Sequence, residues 1–253
     1  DVYKRQLRVR LRVLRYDGSG GREWQAYSVE VAEGATVLHA LEAVRDQQDE
    51  TLAFRAGCGG GLCGSCGMLI KARPGLACAT PITALARHEV QLEPLPGFEP
   101  VRDLVVDFKP MHGAAERMRP YLLRRSEPPE GEFLQSADER AGLAEAARCV
   151  FCGCCVAACP VWRMNRDFLG PAAAVRGYRF LADTRDEGPV ERLAGAGDEM
   201  TGVWRCRSAL ACTRDCPLGI DVARMMARWR AALLRLSLTG KLGGKRLHQG
   251  GRG

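Results

Sequence analysis

Apolar and polar residues alternate from the start of the ordered pattern. Leu7, Val9, Leu11 and Val13 fall on one face, and Arg8, Arg10 and Arg12 on the other. This is the period of a half-buried strand. Residues 27–31 read as a second strand, and the Asp/Gly/Ser-rich stretch 16–21 as the hairpin connection. From Thr36 to about Arg45 the period lengthens. Val37, Leu38, Leu41 and Val44 recur at helical spacing. Residues 68–70 and 89–92 read as further strands. The Pro-rich stretch 94–100 reads as a linker, and helical patterns follow over 142–149, 171–181 and 221–236. Pro128 and Pro129 break an earlier helical stretch. The last helix gathers Val222, Met225, Met226, Trp229, Leu233 and Leu236 near one side, with Arg224, Arg228 and Arg235 elsewhere. That is read as a core face. The expectation is an α+β protein with a strand-rich domain over 7–105, a helical domain over 106–238 and a mobile basic tail over 239–253. Residues 1–6 read as an assembly artefact, since they translate a transposon end used in preparing sequencing libraries.

Composition adds limits. The hydrophobic share of 46% in 253 residues supports a buried core and excludes wholesale disorder. The net charge of +7 comes mostly from arginine, with only five lysines among 37 basic residues. It reads as an assembly face or an Arg-rich background, not as a nucleic-acid footprint. There is no helix-turn-helix pattern, RNP-type strand or dense basic block with interleaved aromatics. No apolar run approaches the roughly 20 residues of a membrane-spanning helix, and no secretory signal is visible.

Twelve cysteines change the picture. They are clustered at short intervals, which suits convergence on metal centres better than the stapled loops of small secreted domains. Cys58, Cys63 and Cys66 stand as C-x4-C-x2-C, with Cys78 after eleven more residues. This is the plant-type [2Fe–2S] spacing. Gly57, Gly59, Gly60, Gly61, Gly64 and Gly67 let the loop curl tightly and aim backbone N–H groups at sulfur. Four-thiolate zinc is the alternative, but zinc ribbons usually use two separated C-x2-C knuckles. A phosphate-cradling loop would need a following Lys-Ser/Thr. The strand, helix and metal-loop order resembles the β-grasp of plant-type ferredoxins.

Cys149, Cys152, Cys155 and Cys159 followed by Pro160 form C-x2-C-x2-C-x3-C-P. In the two-cluster ferredoxin run of that spacing, the fourth Cys ligates the other cluster. Laid on the same template, Cys206, Cys212, Cys216 and Pro217 leave Ala209 in the place of the second ligand. Partner exchange then assigns Cys149, Cys152, Cys155 and Cys216 to a [4Fe–4S] cube. It leaves Cys159, Cys206 and Cys212 for a [3Fe–4S] cluster. The thiols are expected to gather in three groups of converging sulfurs. Cys154 is left over and reads as a small buried hydrophobe, with a substitute ligand or a redox thiol as the other reading. His39 and His88 lie apart from the cysteines in sequence and read as structural or solvated.

These features together resemble the iron–sulfur subunit of succinate dehydrogenase and fumarate reductase. The stretches 75–82, 101–107, 168–172 and 178–186 match it as well. The resemblance implies an α-helical two-cluster ferredoxin domain after the β-grasp domain. It implies a flavoprotein partner carrying FAD and the dicarboxylate site, a membrane anchor and a quinone. Single electrons would pass between FAD and quinone through [2Fe–2S], [4Fe–4S] and [3Fe–4S] clusters. It also implies a peripheral place on the cytoplasmic face of the bacterial inner membrane and a role in the tricarboxylic acid cycle. By the same resemblance Pro160, Trp162, Met164 and Arg207 are quinone-pocket candidates. Met164 stands where many members have a Trp, and Arg207 where a His is common. Those departures point to menaquinone, or a different anchor, in place of a standard ubiquinone pocket.

Overall fold

The computed structural model describes residues 6–85, 89–127, 129–242 and 245–246. The chain forms two compact units.

In the first unit, strands β1 (Gln6–Tyr16) and β2 (Arg22–Ala32) make a long antiparallel hairpin. Val9, Leu11 and Val13 are buried while Arg8 and Arg10 are exposed, so the expected alternation selects the face. Helix α1 (Val37–Gln47) buries Val37, Leu38, Ala40, Leu41 and Val44. Strands β3 (Gly67–Ile70), β4 (Arg73–Leu76) and β5 (Val90–Glu93) complete a mixed sheet of order β2-β1-β5-β3-β4, in which β1 and β5 are parallel. Strand β4 was not legible in the sequence because it holds Pro74 and Gly75. It lies at the sheet edge, where proline is tolerated.

The stretch expected as a linker is folded. Leu95 and Phe98 are buried, and strands β6 (Glu99–Arg102) and β7 (Val105–Asp107) pair beyond them. Phe98 meets Phe108 edge to face with ring centroids 5.0 Å apart. Asp103 ties this hairpin to the sheet, accepting from the Tyr16 and Ala53 N–H groups at 3.0 and 2.8 Å and from Arg15 at 2.9 Å.

The units are not consecutive in sequence. The first comprises residues 1–108 together with Val150–Ala158 and Arg214–Gly219. This differs from the expected division after residue 105. Close backbone packing within the unit explains it. A Cβ on Gly64 (φ +74°) would lie 2.3 Å from the Val150 carbonyl oxygen, and one on Gly67 would lie 2.6 Å from that of Cys152.

The second unit is helical. It contains α2 (Lys109–Glu116), α3 (Ala137–Ala147), α5 (Pro160–Met164), α6 (Gly170–Leu181), α7 (Pro189–Gly197) and α9 (Val222–Thr239). The short helix α4 (Cys154–Ala157) belongs to the first unit, and α8 (Ala211–Arg214) ends at the boundary. Fully buried Trp229 of α9 donates its indole N–H to the Ala174 carbonyl of α6 at 2.8 Å. Gly177 lets the helices close, since a Cβ there would meet Met118 at 2.8 Å and Trp229 at 3.0 Å. Asp221 caps α9 by accepting from the Arg224 N–H at 3.0 Å. Val222, Met225, Met226 and Trp229 are buried, in keeping with the expected core face.

Helix α7 was not anticipated, because its glycines and Arg192 blur the apolar stripe. Arg192 is itself buried and paired with Asp186. Residues 1–5, His88 and Pro128 lie outside the described residues. Of the expected tail, Thr239 ends α9 and Lys241–Leu242 pairs with Lys245–Arg246, while the remainder beyond Leu242 lies outside them.

Candidate metal centres

The loop between α1 and β3 turns its backbone N–H groups onto the thiols. Cys58 Sγ accepts from the Gly60, Leu62 and Cys63 N–H groups at 3.4, 3.2 and 3.3 Å. Gly61, at φ +76°, donates to Cys78 Sγ at 3.2 Å, a turn that glycine adopts without strain. Cys78 N–H reaches Cys66 Sγ at 3.5 Å, and Cys58 N–H reaches Cys63 Sγ at 3.4 Å. Ser65 Oγ stands 3.1 Å from Cys63 Sγ. All four sulfurs of the predicted set therefore lie under amide donors.

The Cys58 N–H, followed by Ser65, pulls the Cys63 thiol down to about 6. Burial pushes the Cys66 thiol up to about 11. A cationic iron centre would remove that proton, as metals do from coordinating thiols. The donor set fits a [2Fe–2S] cluster. His39 is spoken for elsewhere, since its Nδ1 accepts from the Thr36 N–H at 3.0 Å at the start of α1.

In the same unit, Cys152 and Cys154 belong to the buried core. Cys154 lies against Cys152, and the Cys155 and Cys216 thiols also bear on it electrostatically. Cys216 is thus grouped with the first run. Phe151 (φ +57°) and Gly153 (φ +80°) curl the backbone between the cysteines, and Gly153 is the residue before α4. Cys149 falls in the other unit.

The remaining thiols lie in the second unit. Cys159, Cys206 and Cys212 line one cavity of about 470 Å³, measured with its open mouth, together with Ala209. Cys159 precedes α5 and accepts from the Trp162 N–H at 3.5 Å. Cys206 Sγ accepts from the Ser208 N–H at 3.4 Å. Burial, followed by the Cys159 and Cys206 charges, pushes the Cys212 thiol up to about 11.

Pro160 and Arg207 line this cavity. Trp162 and Met164 do not. Trp162 is fully buried against Gly170, and Met164 is 89% exposed. Two residues along a helix is about 200° of rotation, so Trp162 turns from the Pro160 side into the core. The sequence reading missed Met226 and Arg230, one helical turn apart on α9, as cavity residues. Arg230 donates to the carbonyls of Val203 at 3.1 Å and Cys206 at 2.5 Å, bracing the start of the second run. Met226 belongs to the stripe that reads as a core face, and Arg230 lies outside that stripe.

Among the described residues, no three His, Cys, Asp or Glu side chains stand close enough to share a single metal ion. The expected convergence is therefore looser than anticipated, with grouped thiols that do not meet at a point. A multi-iron cluster, whose thiolates bind different iron atoms, suits such groups better than a zinc ion does. No helix among the described residues is long and apolar enough to cross a membrane.

Known proteins bear on these sites. Residues 10–113 match a model of the 2Fe-2S iron-sulfur cluster binding domain, and residues 145–220 one of the 4Fe-4S dicluster domain. The chain is 38% identical over 214 residues to a succinate dehydrogenase iron-sulfur subunit of Coxiella burnetii, spanning 84% of this chain and 90% of that one. It is 37% identical over 229 residues to a fumarate reductase iron-sulfur subunit of Mycobacterium tuberculosis, spanning 88% and 92%. A chain of the Mycobacterium smegmatis Sdh1 complex superposes with a TM-score of 0.83 at 28% identity, covering 94% of this chain and 99% of that one. Cysteine loop, helical ferredoxin runs and these likenesses agree: the chain belongs to the family of iron–sulfur electron-transfer subunits of succinate dehydrogenase and fumarate reductase.

Proposed function

We propose that the chain carries three clusters and relays single electrons between the FAD of a flavoprotein partner and a quinone held at a membrane anchor. Cys58, Cys63, Cys66 and Cys78 would hold [2Fe–2S]. Cys149, Cys152, Cys155 and Cys216 would hold [4Fe–4S], and Cys159, Cys206 and Cys212 would hold [3Fe–4S]. The dicarboxylate site lies on the flavoprotein. The relay works at the cytoplasmic face of the bacterial inner membrane.

The observation that carries this reading is the crossed grouping of thiols. Cys159 lines a cavity with Cys206 and Cys212, while Cys216 bears on the first run. The clusters supply one-electron redox chemistry when bound. The chain's own part is to present thiolates, aim N–H donors at them and set solvent access, which together tune potential. Beside the three thiols, the cavity offers apolar Met226 and Pro160 with the cationic Arg207 near its mouth. That mixture suits a quinone ring and its polar oxygens.

Iron and sulfide analysis with low-temperature EPR of the oxidised complex tests the relay. A three-iron signal beside the two other clusters is expected, and a second complete cube in its place would sink the assignment. Reconstitution with menaquinone and ubiquinone tests the pocket. Equal or faster turnover with ubiquinone would reject the menaquinone preference.

A further inference from the structure

Asp215 immediately precedes Cys216, the last cysteine of the second run. Its side chain is only 5% exposed, and a buried carboxylate is costly unless it is paired. Two arginines pair with it. Arg214 donates from Nε to one carboxylate oxygen at 3.1 Å and from Nη2 to the other at 2.8 Å, a two-point grip. Arg73 donates to the first oxygen at 3.3 Å. Arg73 opens β4, the edge strand of the sheet, so the group is built entirely within the first unit.

The motif itself does not call for a carboxylate here. The first run ends Ala158-Cys159-Pro160, whereas the second ends Asp215-Cys216-Pro217. The charges also differ in their surroundings. The Arg73 and Arg214 side chains are 71% and 66% exposed, so water and salt screen the cations more than the buried anion. Neighbouring Cα atoms are about 3.8 Å apart, which keeps the carboxylate within roughly 10 Å of the Cys216 sulfur.

We propose that the ionised Asp215 carboxylate lowers the reduction potential of the [4Fe–4S] cluster that Cys216 would hold, and that Arg73 and Arg214 moderate this effect. The inference rests on reading Cys216 as a ligand. Each electron the relay passes adds one negative charge to the cluster while it stays there. A nearby anion opposes that charge and nearby cations favour it. The anion dominates because it is the least screened of the three. Arg214 alone still pairs both carboxylate oxygens when Arg73 is removed, so the carboxylate keeps its charge.

The test is redox titration of the assembled complex, followed by EPR, for wild type, Asp215→Asn, Asp215→Glu and Arg73→Gln, at low and at high salt. Iron content is expected to stay the same in all four. The [4Fe–4S] midpoint should move upward in Asp215→Asn. Asp215→Glu keeps the charge and should stay near wild type. Arg73→Gln should move the midpoint downward by a smaller amount, and added salt should shrink that shift. Asp215→Asn and Arg73→Gln disrupt the same ion pair, so a role limited to holding the segment in place would move both midpoints the same way. Shifts of one sign in both overturn the proposal. So does an unmoved midpoint in Asp215→Asn, or in Arg73→Gln at low salt, or an upward shift in Asp215→Glu as large as in Asp215→Asn. Where Asp215→Asn does not assemble, the sign of the Arg73→Gln shift decides alone. A Cys216→Ser complex whose four-iron signal is unaltered would instead overturn the ligand reading beneath the proposal.

Discussion

The runs 149–159 and 206–216 share a backbone and part ways in their side chains. Both place left-handed residues two and four positions after the first cysteine, and both then open a short helix. Both end in Cys-Pro. The second run nevertheless has alanine in place of two of the first run's cysteines. The loop conformation therefore does not depend on those cysteines, and Ala209 lines a cavity. Surroundings differ as well. Gly153 is enclosed, since a Cβ there would meet Phe108 at 2.9 Å and Leu95 at 3.3 Å. Leu210 takes a similar φ but is 58% exposed, so a large side chain is accommodated in space although its backbone is strained. One template serves a packed site in the first unit and an open one in the second.

The largest effects test whether the runs exchange their last cysteines. Cys216→Ser should abolish the four-iron signal and spare the three-iron one, and Cys159→Ser should do the reverse. EPR with iron analysis reads both. If each mutation removes the cluster of its own run, the crossed grouping is wrong.

Ala209→Cys should make the second run complete. About one more iron per chain and disappearance of the three-iron signal are expected, with slower quinone reduction because the cavity is narrowed. A persistent three-iron signal would mean that residue 209 does not face the vacant corner.

Gly153→Ala comes next. Left-handed backbone costs an L-residue roughly 1–2 kcal/mol, and crowding against Phe108 adds about 1–3 kcal/mol. Thermal unfolding should show a loss of about 2–5 kcal/mol, and a neutral result would contradict the packing at this point.

Leu210→Gly is the smallest change. Relief of the left-handed strain is partly offset by the greater freedom of glycine in the unfolded chain, roughly 0.5–1 kcal/mol. The net should be a stabilisation below about 1 kcal/mol, measured by denaturant midpoint at unchanged slope. A clear loss of stability would show that the Leu210 side chain contributes packing that its exposure conceals.

Much of the fold was legible wherever a pattern ran long enough to outweigh local exceptions. The alternation in β1 and the stripe of α1 survive in the structure with boundaries moved by only a residue or two. Strands β4 and β6 escaped because each carries proline, and edge or two-stranded pairing tolerates what a central strand does not. The stretch 94–100 looked like a linker by composition, yet Leu95 and Phe98 had a core to enter. At the cavity, Pro160 and Arg207 are among the lining residues, and Trp162 and Met164 are not. Trp162 stands about 200° round the helix from Pro160 and turns into the core, and a motif read as a string does not show that rotation.

By itself the sequence determined the chemistry available: clustered thiols, a glycine-rich loop, and an alanine in the second run where the first run has a cysteine. Those are matters of residue type and short spacing, which covalent geometry translates directly into local structure. The tertiary structure alone decided which distant thiols share a space, that Cys154 is buried in the core, and that Val150–Ala158 and Arg214–Gly219 belong with the sheet. Each of these depends on packing between segments tens of residues apart, where backbone contact at positions such as Gly64 and Gly67 selects among arrangements that the linear pattern leaves equal.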